Sequence, residues 1–379
     1  MQPRLNPFGT SYVLCSAEIS FWSFPLLLRF LSFVVALVLS STCVSSQTGK
    51  LDTLLEEGHF KQVARVISAS KDQDAETLYL LSKLNQGFRK HDEALQLAEA
   101  AVKANPNKAA YHLQLASVLS DDINNAGFFK KMSLAKRVHG ELETALKLEP
   151  KNTDCLFGMM QYYEQAPGVI GGGKDKAHQV ADEIGRIDAS KGYLAQAQLA
   201  REEKQTEKLE ELYLNALKAD PKSFEALMAL AAFYASEAQK KYDLADKYAR
   251  QALDLDRTRI GPYVVSAEVA ALKQNWDKLE ALLTQAEKEN ADDLNPFYQA
   301  GRTLFQLNEE LSRAERYFRK YISQDPEGLT PPLSAAHWRL ALVLEKQGRK
   351  ADAIKELEES LRLQPDFENA KKDLKRLKG

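Results

Sequence analysis

One phrase recurs along this chain: an alanine-rich amphipathic helix pattern that stops at a proline. The stretch 91–107 reads HDEALQLAEAAVKANPN, and similar phrases end at Pro150, Pro221, Pro326 and Pro365. The stretches YARQALDLDRTR and LLTQAEKENADD keep the pattern but lack the proline. The phrase returns roughly every 34 to 42 residues, a spacing typical of helical repeat proteins. A single unit of this length cannot bury its apolar face, so we expect the units to stack on one another.

Upstream of each phrase lies a second amphipathic helix pattern, separated from the first by a short polar turn. Apolar residues recur at positions i, i+3, i+4 and i+7 through both patterns. Small residues stand where two helices must approach closely: Ala94, Ala101, Ala245, Ala252 and Ala353. Proline ends the second helix because it lacks the backbone N–H and crowds the preceding turn. The sequence therefore predicts an all-α fold, an α-solenoid of stacked antiparallel helix pairs with about eight repeats.

The phrase also places the units along the chain. We predict repeats at 75–108, 109–150, 153–189, 190–223, 224–259, 260–293, 294–328 and 334–367. A degenerate helical hairpin is predicted over 47–74, and a capping helix with a basic, polar face over 368–379. Two units carry insertions, one near 120–131 and one in the glycine-rich turn 166–177, and insertions usually map to loops.

The residue pattern resembles the tetratricopeptide repeat family, and its exported bacterial members in particular. Residues 334–367 match the family pattern at Trp338 (one place late), Leu340, Ala341, Leu344, Ala353, Leu357, Ser360 and Pro365. Residues 75–108 match at Leu78, Leu81, Ser82, Ala94, Ala98, Ala101 and Pro106. The resemblance implies a superhelix whose concave face is lined by the first helix of each pair. Such a groove suits an extended or helical segment of a partner protein.

The repeat register also selects candidate groove residues, namely the exposed inner positions of the first helices. These are Tyr79, Lys83, Phe157, Gln161, Glu164, Leu194, Gln198, Arg201, Met228, Glu268, Tyr298, Arg302 and Phe305, with Trp338 as a borderline case. Aromatic residues and arginine are common interface anchors. The competing interpretation for each of them is simple packing between repeats.

The N-terminus differs in composition from the rest. Residues 1–46 carry only Arg4, Glu18 and Arg29 as charges, and FLSFVVALVL precedes the small residues SSTCVSS. This order is typical of a secretory signal, with cleavage near Gln47. A retained membrane anchor and lipid attachment at Cys43 are the alternatives. We expect an exported protein, periplasmic or secreted, or one anchored by this segment.

The sequence offers little for catalysis. Gly168, Gly173 and Lys174 have the spacing of a phosphate-binding loop, but Asp175 stands where that motif needs Ser or Thr. No pair among the six His has metal-ligand spacing, and Cys155 is expected to be a buried structural thiol. The net charge of −2 gives no basic field for nucleic acid. We predict no enzyme, no cofactor and no metal.

Two functions of different class follow from these features. The first is a non-enzymatic, protein-binding scaffold or assembly factor of the bacterial envelope, which docks partner peptides or helices in the concave groove. The alternative is a periplasmic subunit that binds a small molecule in the groove and serves a transporter. The identity of the partner does not follow from the sequence.

Overall fold

The structure, a computed structural model, describes residues 49–68, 74–123 and 127–379. The chain divides into two compact units, Met1–Lys50 and Leu51–Gly379. Of the first unit only Gly49 and Lys50 are described, and both are helical. The predicted leader 1–46 lies outside the described residues. Among the residues that are described, no helix has the length and apolar character needed to cross a membrane.

The second unit is built of helices, and its described residues include no strand. Residues 51–56 form the part of α1 that belongs to this unit. The helices that follow are α2 (Phe60–Ile67), α3 (Ala75–Gly87), α4 (His91–Ala104), α5 (Ala109–Ile123), α6 (Phe128–Leu148), α7 (Thr153–Gln165), α8 (Lys174–Ile187), α9 (Ala189–Glu202), α10 (Leu209–Ala219), α11 (Phe224–Ala235), α12 (Tyr242–Leu255), α13 (Gly261–Leu272), α14 (Trp276–Glu289), α15 (Asn295–Leu307), α16 (Leu311–Tyr321), α17 (Leu333–Lys346), α18 (Lys350–Leu363) and α19 (Glu368–Lys378).

Helices α3 to α18 pack as eight consecutive hairpins, from α3–α4 to α17–α18, and each hairpin contacts the next. Helix α19 packs on α18 and closes the array. The predicted fold, an α-solenoid of about eight stacked helix pairs with a C-terminal capping helix, is confirmed.

Buried alanines on the second helices let each pair approach closely. Ala94, Ala145, Ala245 and Ala353 are all fully buried. The prolines act as the sequence suggests, because α4, α6, α10 and α18 each end two residues before one. Helix α16 is different and ends at Tyr321, well before Pro326. The longer loop that results, SQDPEGLTPP, contacts helix α2.

The two insertions behave differently. The one near 120–131 was expected in a loop, but residues 120–123 and 128–131 are helical. It therefore lengthens α5 and α6, and α6 reaches 21 residues. The glycine-rich turn does form a loop, with a 3-10 turn at Gly168–Ile170 before α8 begins at Lys174.

The turn between the two helices of several hairpins has the same backbone conformation. The first helix ends with a residue of positive φ, and the next N–H donates to the carbonyl five residues back. Gln205 N–H donates to Ala200 O at 2.8 Å, and Arg349 N–H donates to Leu344 O at 2.9 Å. Gly348 has φ +79°, which glycine adopts freely, but the corresponding Lys204 has φ +62°.

Lys204→Gly should therefore stabilise the protein. Glycine relieves the left-handed strain of a residue that is exposed and makes no side-chain hydrogen bond or ion pair with the described residues. We expect a gain of about 0.5–1 kcal/mol in the free energy of unfolding, measured by urea denaturation. The matched control is Gly348→Ala, for which a Cβ meets nothing within 4 Å. It should lose about 1 kcal/mol through backbone strain alone. A destabilised Lys204→Gly would contradict this view of the turns.

Helix α2, near the start of the array, lies against the loops that flank the seventh hairpin, α15–α16. Helix α2 contacts the loop after α14 and the loop after α16. Arg65 Nη2 lies 2.6 Å from Asp292 Oδ2, across 227 residues of sequence. This long-range contact was not predicted from the repeat pattern.

Candidate partner-binding surface

The region with the strongest features of a binding surface lies on the first helices of the last three hairpins, α13, α15 and α17. These helices pack side by side, α13 on α15 and α15 on α17. We call the following residues the inner surface: Glu268, Gln299, Arg302, Phe305, Trp338 and Arg339. All six are partly exposed rather than fully buried.

Two aromatic side chains anchor the inner surface. Phe305 and Trp338 are half-buried and pack on the same apolar core cluster. Lys346 Nζ lies 4.5 Å from the Phe305 ring centroid, and Arg339 Cζ lies 4.4 Å from that of Trp338. The Trp338 indole donates to Asp373 Oδ2 at 2.8 Å. Each ring is therefore held in place while part of its surface stays open, as in interface hot spots.

Three polar atoms of the inner surface have no partner within the described chain. The Nε atoms of Arg302 and Arg339 and the Oε1 atom of Gln299 are buried and make no hydrogen bond. A buried polar atom without a partner costs roughly 1–3 kcal/mol. The three side chains are partly exposed as a whole, so a ligand would reach them through their exposed atoms and not through these buried ones.

The electrostatics of the surface are mixed. Burial raises the pKa of the Glu268 carboxyl above its ordinary value, and the nearby Arg302 charge opposes that shift. Arg302, Arg339 and Lys346 bring positive charge. An incoming carboxylate would thus meet two guanidinium groups beside aromatic rings.

Two predicted groove residues are not exposed. Tyr79 and Tyr298 are each only 6% exposed and belong to core clusters. The expectation that they line an open groove is wrong. Helix α1 is the reason at Tyr79, whose hydroxyl donates to Asp52 Oδ2 at 3.0 Å. The same Asp52 forms an ion pair with Lys83.

The other predicted groove residues lie on the first helices but differ in surroundings. Five are half-buried against the core or their neighbours: Phe157, Gln161, Leu194, Gln198 and Met228. Glu164 is also half-buried, and burial raises the pKa of its carboxyl. Arg201 is exposed and donates from Nη2 to Tyr213 Oη at 2.7 Å. Their part in binding stays a prediction.

Sequence reasoning missed Gln299 and Arg339. Gln299 directly follows Tyr298, and Arg339 directly follows Trp338. In each case the aromatic residue was chosen as the groove-facing position, and its neighbour was not. The late position of Trp338 in its repeat was the available signal. Trp338 and Arg339 are both partly exposed on α17.

The other candidate chemistries find no support in the geometry. Two amides of the glycine-rich loop are already engaged, since Gly172 N–H donates to Pro167 O within the loop and Gly173 N–H donates to Tyr163 O on α7. Burial raises the pKa of the Cys155 thiol to about 12, which leaves it protonated at neutral pH. No group of three or more His, Cys, Asp or Glu is placed to hold a metal within the described ranges.

The helix pairs and their stacking define an α-solenoid. Residues 334–367 match the sequence profile of the family described as tetratricopeptide repeat, which confirms the predicted resemblance to that family. No curated protein matches the sequence.

Several solved structures are similar in fold. Yeast Tom70 has a TM-score of 0.49 at 14% identity, over 89% of this chain and 88% of that chain. A tetratricopeptide repeat protein from Parabacteroides merdae has a TM-score of 0.41 at 17% identity, over 81% of this chain and 100% of that chain. The Cut9 and Hcn1 hetero-tetramer of the APC/C gives 0.43 at 13% identity, over 86% of this chain and 76% of that chain.

Proposed function

We propose that this protein is a non-enzymatic scaffold that docks a segment of a partner protein on the inner surface of α13, α15 and α17. A tetratricopeptide fold favours binding of proteins. The observation that carries the proposal is the pair of partly exposed arginines, Arg302 and Arg339, which form no ion pair with the described residues. They stand beside half-open Phe305 and Trp338, so charge recognition and apolar anchoring share one site.

The chemistry of the surface selects the kind of segment. A guanidinium group forms its strongest hydrogen bonds with carboxylates, often through two parallel N–H donors. We therefore propose a segment with at least one acidic side chain next to an apolar one. Half-buried Glu268 discourages a second carboxylate at the α13 end of the surface.

A small-molecule ligand is the second candidate, and one cavity favours it. This cavity of about 270 Å³ is lined by Leu55, Phe60, Lys83, Gln86, Gly87, Arg89, His91, Asp121 and Leu329. Two of its cations are already engaged, since Lys83 pairs with Asp52, and Arg89 donates to Leu329 O at 2.7 Å. Thermal stabilisation by a metabolite that Arg89→Ala abolishes would support this candidate over the scaffold.

Export to a bacterial envelope is also part of the proposal. It rests on residues 1–46, whose basic, apolar and small-residue order is that of a secretory signal. Fractionation of the native host tests it, and recovery of the protein only in the cytoplasm would refute it.

The binding proposal makes a direct prediction. The double variant Arg302→Ala, Arg339→Ala should lose about a hundredfold or more in affinity for a partner isolated with the wild-type protein, since each lost charge-assisted bond contributes about 1.5–3 kcal/mol. Isothermal titration calorimetry with the purified partner measures the loss.

Arg362→Ala is the matched control. Arg362 is an exposed arginine on the second helix α18, paired with Glu359 in the same helix. It should leave the affinity unchanged. Equal losses from the control and the double variant would show that the partner responds to general positive charge and not to the inner surface.

A further inference from the structure

A second feature of the molecule is the contact between α2 and the loops that follow α14 and α16. We call the contact between α2 and residues 290–293 and 325–330 the clasp. Arg65 donates to both carboxylate oxygens of Asp292, at 3.0 Å and 2.6 Å. Arg89, which follows α3, donates to the carbonyls of Leu329 and Thr330 at 2.7 Å and 3.0 Å. The clasp therefore joins α2 and the end of α3 to the loops that flank the seventh hairpin, α15–α16.

Glu327 lies at the centre of the clasp and caps α2 from a distance. No side chain of the neighbouring sequence caps this helix, whose N-cap residue is His59, and its first turn holds no acidic residue. Instead, Lys61 N–H donates to Glu327 Oε1 at 2.8 Å across 266 residues of sequence. A carboxyl group at a helix N-terminus satisfies a free N–H and stabilises the helix.

The packing around Glu327 is close. The Phe60 ring lies between two glycines, and a Cβ would fall 2.2 Å from Phe60 Cε1 at Gly87 and 2.3 Å from Cδ2 at Gly328. Gly328 has φ +50°, so a side chain there would also be strained. The absence of both Cβ atoms lets the ring lie close to the backbone at Gly328, the residue next to Glu327, which is itself only 3% exposed.

The same burial makes Glu327 sensitive to pH. Burial raises the pKa of its carboxyl to about 7, with further repulsion from Asp293 and Asp292, and its Oε2 has no hydrogen-bond partner among the described residues. Lys61 opposes this shift, with Nζ 3.9 Å from Oε2. The charged and titratable groups that face the clasp come from four elements. They are His59, Lys61 and Arg65 on the α2 side, Arg89 after α3, Tyr321 of α16, and Asp292, Asp293 and Asp325 on the loops. Burial also raises the pKa of Asp293, to about 6.

We propose that the clasp is a reversible, pH-dependent latch, held closed in mildly acidic solution and loosened as the pH rises through neutrality. When the latch opens, water reaches Glu327 and its pKa returns toward its ordinary value near 4.5. The closed form thus binds more protons than the open form over this range, and acid favours closing. The Arg65–Asp292 pair acts oppositely but only in stronger acid, because Arg65 holds the pKa of Asp292 below its ordinary value.

Hydrogen exchange of the full chain, followed by mass spectrometry, tests the latch. The readout is the protection of the amides of α2, corrected at each pH for the chemical exchange rate of the unstructured peptide. If Glu327 binds one proton with a pKa of about 7 in the closed form and about 4.5 in the open form, the latch closes more firmly in acid. Protection of α2 should then rise on the order of tenfold from about pH 7.5 to about pH 5.5. Glu327→Gln keeps the cap and removes the charge, so the pH dependence of protection should fall to the smaller part that Asp293 contributes. Phe60→Ala should open the latch at both.

Glu358→Gln is the matched control, because it removes a half-exposed carboxylate of α18 that pairs with Lys378. It should keep the pH dependence of the wild-type protein. Equal protection of α2 at the two pH values in the wild-type protein would overturn the latch. A pH dependence as large in Glu327→Gln as in the wild-type protein would also overturn it, because the proton would then bind elsewhere.

Discussion

Phe318→Ala should lower the free energy of unfolding of the C-terminal hairpins by about 3–5 kcal/mol, because it removes a large side chain from a closely packed core. Phe318 lies on α16, is fully buried, and meets Tyr298 edge-on with ring centroids 5.5 Å apart. Its ring also fills the space that a side chain at Gly301 would occupy, within 3.1 Å. Alanine would leave a cavity between α15 and α16 that close packing on both sides prevents from collapsing.

Stacked repeats share stability mainly with their neighbours, so this loss should be local. Urea denaturation followed by hydrogen exchange should show α15 to α18 unfolding before α5 to α10. Phe129→Ala is the control, since Phe129 is 86% exposed, and it should cost less than about 1 kcal/mol. Uniform loss of protection along the whole array would contradict nearest-neighbour stacking.

Gly192→Ala should cost about 1–3 kcal/mol although alanine favours helices. Helices α8 and α9 cross at two glycines, and a Cβ at Gly192 would lie 2.3 Å from Gly185 Cα and 2.7 Å from its N. Both contacts are with backbone, which cannot rotate away. The third and fourth hairpins would have to separate.

Gly185→Ala is the control for this crossing and should act in the opposite direction. A Cβ at Gly185 meets only Gly192 Cα, at an ordinary 3.7 Å. It should stabilise the protein by about 0.5–1 kcal/mol, the usual gain for alanine over glycine inside a helix. Thermal unfolding of the two variants should therefore move the midpoint in opposite directions, and shifts of the same sign would show that the crossing is not tight.

The repeat pattern predicts the fold well because it depends on local, periodic features. The alanines and prolines of the second helices fix where each pair packs and ends, as Ala353 and Pro365 do for the last hairpin. Contacts that depend on how the stacked hairpins curve, such as those between α2 and the loops after α14 and α16, could not be predicted from the sequence. Nothing in the sequence around Glu327 indicates that its side chain caps α2, at a residue 266 positions earlier.

The candidate site was predicted only in part, and the reason is the same. Glu268, Arg302 and Phe305 lie on first helices and are partly exposed, and their part in binding stays a prediction. Tyr79 was placed in the groove because the sequence gives no sign that Asp52 of α1 lies over it. The unpartnered Nε of Arg339 depends on how α17 is rotated against α15, which a periodic pattern fixes only to within a residue.

Site-specific photo-cross-linking in the native host tests most directly whether the inner surface binds a protein. A photoreactive residue at Phe305 should cross-link to a partner protein, and the cross-link should disappear in the Arg302→Ala, Arg339→Ala variant. The same probe at Leu255, a partly exposed residue on the second helix α12, should not capture that partner. Identical cross-links from both positions, or a Phe305 cross-link that survives loss of both arginines, would contradict the account.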